Sequence, residues 1–123
     1  MAKKSNNQRI DYIEFSVGDI ARSREFYGKA FGWSFKDYGP SYCEFNDGRL
    51  TGGFALAGKG NPGGAIKAGG PLVILYASDL AETQRLVEAA GAKIVKPAYS
   101  FPGGRRFHFA DPDGYELAVW SDK

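Results

Sequence analysis

The stretch IDYIEFSVGDIARSREFYGKAFGW, residues 10–33, changes its apolar period midway. From Ile10 to Val17 apolar and polar side chains alternate. Ile13, Phe15 and Val17 share one face, and Tyr12, Glu14 and Ser16 the other, the pattern of a half-buried strand. Asp19 then stands where a helix N-cap belongs. Ile20, Phe26, Tyr27, Ala30 and Phe31 recur close to helical spacing, and Gly32 is a C-cap glycine. Short strands are predicted at Trp33–Tyr38, Ser41–Asn46 and Gly52–Ala57, with Gly39-Pro40 and Asp47-Gly48 as the turns between them.

The same order of elements returns downstream. Leu72–Ala77 reads as a strand, Asp79 as the cap of a helix over Leu80–Ala90 with Glu82 at the capping-box position, and Gly91 as its stop. Strands are predicted at Lys93–Lys96, Arg105–Ala110 and Tyr115–Trp120, broken at Pro97 and at Phe101-Pro102-Gly103-Gly104. An offset of 60 aligns Asp19-Ile20-Ala21 with Asp79-Leu80-Ala81, Phe26 with Leu86, Tyr27 with Val87 and Ala30 with Ala90. Each half enters its last strand through an Asp-Gly turn, Asp47-Gly48 and Asp113-Gly114. A strand, a helix and three strands, written twice, predict two βαβββ modules, each with an apolar sheet face that needs a partner. Residues 58–71 between them hold six glycines and two prolines. The G-x-G-x-x-G that begins at Gly58 belongs to this linker, because a dinucleotide fingerprint opens directly into a helix and no helical pattern resumes before Asp79. The organisation expected is a tail over 1–9 and one domain over 10–123: module one 10–57, linker 58–71, module two 72–121.

Composition narrows the function classes. The 123 residues are 43% hydrophobic and 15% aromatic, enough for one packed domain despite 17 glycines. A single cysteine, Cys43, excludes an internal disulfide and a cysteine-based zinc site, and reads as a small buried apolar group. A single histidine, His108, excludes a multi-histidine metal site. The scattered net charge of +2 argues against nucleic acid as a partner, and no apolar run is long enough to span a membrane. The lysines at 3 and 4 are followed by polar residues, so no signal peptide is visible and a reducing, cytoplasmic setting is expected.

With the repeat established, three motifs become specific. Residues 10–33, DLAETQRLVEAAG at 79–91 and FHFADPDGYELAVW at 107–120 resemble the opening strand and helix, the second helix and the closing strand pair of the vicinal oxygen chelate superfamily, the glyoxalase, bleomycin-resistance and dioxygenase group. The resemblance implies an α+β fold of paired βαβββ modules whose mixed sheets curl into a cup, commonly in a homodimer. In metal-dependent members the cup holds a divalent ion. Carried onto this chain, the ligand positions fall on Tyr12, Leu72, Ala118 and the Tyr42–Glu44 region. Leucine and alanine offer no donor and a neutral phenol is a poor ligand for a hard ion, so neither metal nor other cofactor is expected.

Strand alternation predicts the cup lining: Tyr12 and Glu14 from the first strand, Leu72, Ile74 and Tyr76 from the fifth, Glu116, Ala118 and Trp120 from the last, with Tyr42 and Glu44 joining them. Phe107 and Phe109 should pack beneath a helix, which turns Arg106 and His108 into the cup. His108, with Glu44 or Glu14, is the candidate acid–base pair, against the plainer reading of a strand histidine bonded to a neighbour. Arg106 could clamp an anion or end a surface turn. Tyr12, Tyr76 and Trp120 could stack on a planar ligand or fill space. The leading expectation is a metal-independent protein that binds a small, partly apolar organic molecule. A lyase or isomerase using His108, a drug-sequestering protein, and a metal-dependent glyoxalase or dioxygenase are the alternatives.

Overall fold

A computed structural model describes residues 7–57 and 71–123. The 58–71 linker, apart from Pro71, and residues 1–6 of the expected tail lie outside the described residues. The elements are β1 (Tyr12–Val17), α1 (Ile20–Phe31), β2 (Ser34–Asp37), β3 (Tyr42–Asn46), β4 (Thr51–Leu56), β5 (Val73–Tyr76), α2 (Leu80–Ala89), β6 (Lys93–Phe101), β7 (Gly104–Ala110) and β8 (Glu116–Ser121). They form two four-stranded sheets of matching order, β1-β4-β3-β2 and β5-β8-β7-β6. In each, the first strand runs parallel to the last of its module and the other pairs are antiparallel. The two βαβββ modules of the sequence reading are therefore present, and the fold is α+β with mixed sheets.

The helix ends are built alike. Asp19 and Asp79 hold extended backbone, and their Oδ1 atoms accept from the amides of Arg22 and Glu82, each at 3.1 Å. Gly32 turns out of α1 at φ 72°, in the left-handed region a side chain disfavours. The second helix stops at Ala89, one residue short of the predicted end, with Ala90 as cap and Gly91 at φ 103°. The carboxylate of Glu82 is engaged by Arg85 at 2.6 and 2.9 Å instead of reaching back to the cap.

One core serves both modules. Phe15, Val17, Phe45 and Phe54 from the first sheet, Phe107, Phe109, Leu117 and Val119 from the second, and Phe26, Tyr27, Ala30, Leu80 and Val87 from the helices form a single buried cluster. Phe109 reaches across the module boundary to Phe26 and Phe31, with ring centroids 6.1 and 5.9 Å away. Successive side chains along a strand point to opposite faces, so the residues that alternate with these core residues form the other face of each sheet, turned away from the core.

The Asp111-Pro-Asp-Gly114 turn does more than reverse the chain. Asp113 accepts from the Gly18 amide (2.8 Å), Arg22 Nη2 (2.8 Å) and Ser23 Oγ (3.3 Å), all at the start of α1. Tyr27 donates to Asp111 Oδ2 at 2.7 Å, and Tyr115 donates to the Ser16 carbonyl at 2.7 Å. The turn thus bolts module two onto module one. Burial pushes the Asp111 carboxyl above the usual carboxylate range, against the hydrogen bonds from Tyr27, Tyr115 and Asp113 that pull it down.

One predicted break is absent. The sixth strand continues through Pro97 to Phe101 instead of ending at Lys96, with register shifts on either side of Lys96. It is the edge strand of its sheet, where a residue without an amide hydrogen is tolerated.

Candidate functional site

The outward face of each sheet can be followed row by row. In the first sheet, Glu14 opposes Gly53, Gly53 opposes Glu44, and Glu44 opposes Lys36. In the second, Ile74 opposes Ala118, Ala118 opposes His108, and His108 opposes Lys96. Strand for strand these rows are equivalent. Glu44 and His108 therefore hold matching positions in the two modules, each beside the smallest side chain of its row.

On the first sheet Tyr42 donates to Glu14 Oε1 at 3.0 Å, and the Tyr12 and Tyr42 hydroxyls lie 2.6 Å apart. A phenol has one proton to give. With that of Tyr42 committed to Glu14, Tyr12 is the donor of the short bond, and the protons run Tyr12 to Tyr42 to Glu14. Gly53 is what admits the pair: a Cβ there would run into the Tyr42 hydroxyl and stand 2.7 Å from that of Tyr12. Burial, with the neighbouring carboxylates, pushes both phenols above the ordinary tyrosine value, Tyr42 much the further. Tyr12 and Glu44 also line a polar hollow of about 850 Å³ with Arg9, Asp11, Arg49 and Thr51. An apolar groove of about 500 Å³ runs between the first and fifth strands, past Ile13, Phe15, Val73, Leu75 and Trp120.

On the second sheet, Phe107 and Phe109 are fully buried, and the residues alternating with them, Arg106 and His108, take the other face as predicted. His108 is itself 3% exposed. Its Nδ1 lies 2.8 Å from Glu116 Oε2, its Nε2 lies 3.0 Å from the Tyr99 hydroxyl, and Arg106 Nε donates to that hydroxyl at 2.5 Å. The ring is thus hydrogen-bonded at both nitrogens, to Glu116 and to Tyr99, and the Tyr99 oxygen also accepts from Arg106. The Arg106 guanidinium also lies over the Tyr99 and Phe101 rings, at 5.6 and 5.7 Å.

The sequence reading paired His108 with Glu44 or Glu14. Both glutamates stand on the first sheet, and the carboxylate that meets His108 is Glu116, a diagonal neighbour across the β7–β8 ladder. Tyr76 and Ile74 are exposed, and Tyr76 packs edge-on against Trp120 at 5.2 Å while donating to Asp122 at 2.6 Å. Leu72 immediately precedes β5 and is half-buried, and Ala118 is fully buried. Arg105 is exposed. Cys43 is buried as expected, and burial raises its thiol above the ordinary value. Tyr99 was missed, because its strand was expected to stop at Pro97. The alternation of Tyr99 and Phe101, which the register sets opposite Arg106 and Gly104, was the available signal.

The resemblance implies a divalent ion among Tyr12, Leu72, Ala118 and the Tyr42–Glu44 region, and these residues do not fit one. Leu72 and Ala118 carry no donor. The Tyr12 phenol is held in its protonated form by burial and is spent on Tyr42. Among the described residues no three His, Cys, Asp or Glu side chains gather into a ligand set.

Solved structures of similar fold include a glyoxalase-related enzyme from Fulvimarina pelagi, 24% identical, covering 93% of this chain and 88% of its own, with a TM-score of 0.78. TioX from Micromonospora sp. ML1 is 21% identical over 92% of this chain and 98% of its own, with a TM-score of 0.72. A glyoxalase/bleomycin resistance protein/dioxygenase family enzyme from Burkholderia phytofirmans PsJN is 20% identical over 93% of this chain and 100% of its own, with a TM-score of 0.75. At these identities the likeness is one of fold. No curated protein matches the chain. The family model of the Glyoxalase/Bleomycin resistance protein/Dioxygenase superfamily matches residues 9–119, from before the first strand into the last, and the chain belongs to that superfamily.

Proposed function

We propose that this protein binds a small, partly apolar organic molecule on the outward faces of its sheets, without a metal ion, and does so as a homodimer in the cytoplasm. The observation that carries the metal-independent part is the donor set: an alanine and a leucine stand at two of the implied ligand positions, and a hydrogen-bonded phenol at a third. Aromatic surface left open at Tyr12 and Tyr76, beside Trp120, supports an organic ligand. Pockets for such ligands pair apolar walls with a few fixed polar groups. A second copy of the chain would enclose these faces. Among the described residues no helix is long and apolar enough to cross a membrane.

A second reading, a lyase or isomerase, is favoured by the 2.8 Å approach of His108 to Glu116, since a carboxylate behind an imidazole is an arrangement used in acid–base catalysis. In that reading Glu116 replaces Glu44 as the partner of His108.

Native mass spectrometry of the purified protein tests the proposal. Dimers that carry an organic mass released intact on denaturation, and no metal mass, are expected. Monomers, or a stoichiometric metal, would count against it, and a chemically altered released molecule would favour the enzyme.

A further inference from the structure

Arg106 is a cation held by one atom. Its Nε is committed to the Tyr99 hydroxyl, and its two terminal nitrogens meet no acceptor among the described residues. What holds Nε is itself fixed: the Tyr99 hydroxyl is also hydrogen-bonded to His108 Nε2, whose other nitrogen is tied to Glu116. The guanidinium plane is further restrained over the Tyr99 and Phe101 rings. A planar fork of N–H groups, pre-set and left open, matches a carboxylate in bidentate fashion.

The surroundings narrow the ligand. Arg106 opposes Trp120, and Trp120 opposes Tyr76, in one row across the sheet. Phe101 lies 6.3 Å from Trp120 on the other side, so three aromatic side chains run beside the fork. Lys96, whose ammonium lies 6.0 Å from the centre of the Tyr99 ring, adds a second positive charge nearby. The negative charge of Glu116 is turned to His108.

We propose that Arg106 anchors the carboxylate of a flat-ringed ligand on the outward face of the second sheet, with Phe101, Trp120 and Tyr76 as the wall against which the ring lies. Tyr99, His108 and Glu116 are positioning residues that hold the fork. This rests on the reading of the protein as an organic-molecule binder and names the ligand's class.

The test uses benzoate, benzamide and cyclohexanecarboxylate as probes of the full-length protein in a buffer free of carboxylate and phosphate. The readout is the proton spectrum of His108, assignable directly because the chain has one histidine. Benzoate should shift the His108 signals saturably, and each of the other probes should bind at least about tenfold more weakly, lacking either the charge or the aromatic face. Arg106→Gln and Arg106→Lys should both weaken benzoate by about tenfold or more, the lysine keeping the charge without the fork. Tyr99→Phe should weaken benzoate and leave benzamide unchanged, which a general loss of structure would not do. Equal binding of benzoate and benzamide would overturn the anchor while leaving the broader reading standing. No response to benzoate, or full binding by Arg106→Gln, would also overturn it, whatever organic mass the purified protein carries.

Discussion

Glu44 and His108 occupy the same place in two copies of one module: each faces outward from the third strand of its sheet, one beside Gly53 and the other beside Ala118. Duplication has thus left a carboxylate and an imidazole at matching positions, and the rest of each face has diverged around them. The first sheet carries a chain of phenols ending on Glu14. The second carries a phenol, an imidazole and Glu116 in series, capped by Arg106.

His108 should contribute to stability as well as to the site. Both ring nitrogens are bonded and the ring is buried, so His108→Phe keeps most of the volume while stranding Tyr99 and Glu116. Urea unfolding should show a loss of about 1–3 kcal/mol, because the partners that remain can be partly rehydrated. A variant as stable as the parent would mean the chain of bonds is not maintained in solution.

The fit of Tyr12 and Tyr42 over Gly53 predicts a coupled pair of substitutions. Gly53→Ala should destabilise by about 1–3 kcal/mol, the usual cost of forcing an atom into occupied space. In a Tyr42→Ala background the same change should cost clearly less. A double-mutant cycle reads this directly, and purely additive losses would show that the tyrosines do not lie over the glycine.

Asp111 should make stability depend on pH in an unusual direction for an aspartate. Its folded-state carboxyl lies above the ordinary value, so the folded chain binds the proton more tightly than the unfolded one. Its contribution is fully present below the unfolded value and is lost as pH rises through the folded one. The melting temperature of the parent should therefore improve relative to Asp111→Asn as pH falls from 7 towards 4. A difference that stays flat, or shrinks on acidification, would contradict the assignment.

Tyr42 sets a limit at the alkaline end. Its phenol and that of Tyr12 are raised above the ordinary value of 10.0, so the folded state resists their ionisation. The stability they lend is present below that value and declines above it. Unfolding free energy measured from pH 9 to 11 should fall less steeply for Tyr42→Phe than for the parent. An unchanged slope would place the Tyr42 phenol in ordinary surroundings.

The parts of this fold legible in the sequence are those settled within a few residues. The caps at Asp19 and Asp79 depend on one side chain and an amide three residues on, and both were readable. So was the outward turn of Arg106 and His108, because the buried Phe107 and Phe109 alternate with them. The pairing of His108 with Glu116 was not, since it depends on the register between two strands and the sequence puts three carboxylates on outward faces. Tyr99 was hidden behind Pro97, whose usual meaning as a strand breaker lapses on an edge strand. The Asp113 bolt was invisible for a different reason: an Asp-Pro-Asp-Gly run explains itself as a turn, and nothing local shows that its carboxylate will meet Gly18, Arg22 and Ser23 some 90 residues away.

The metal-independent account is tested most directly by the thermal melt of protein stripped with EDTA, repeated after adding Ni²⁺, Zn²⁺, Mn²⁺ or Fe²⁺ in turn. With Leu72 and Ala118 offering no donor atoms, none of the ions should raise the melting temperature in a saturable way. A ligand present at a hundred times its dissociation constant stabilises a fold by about 2.7 kcal/mol, a shift too large to overlook. A saturable rise of that size with any one of the four ions, abolished by Tyr12→Phe or Glu44→Gln, would contradict the account.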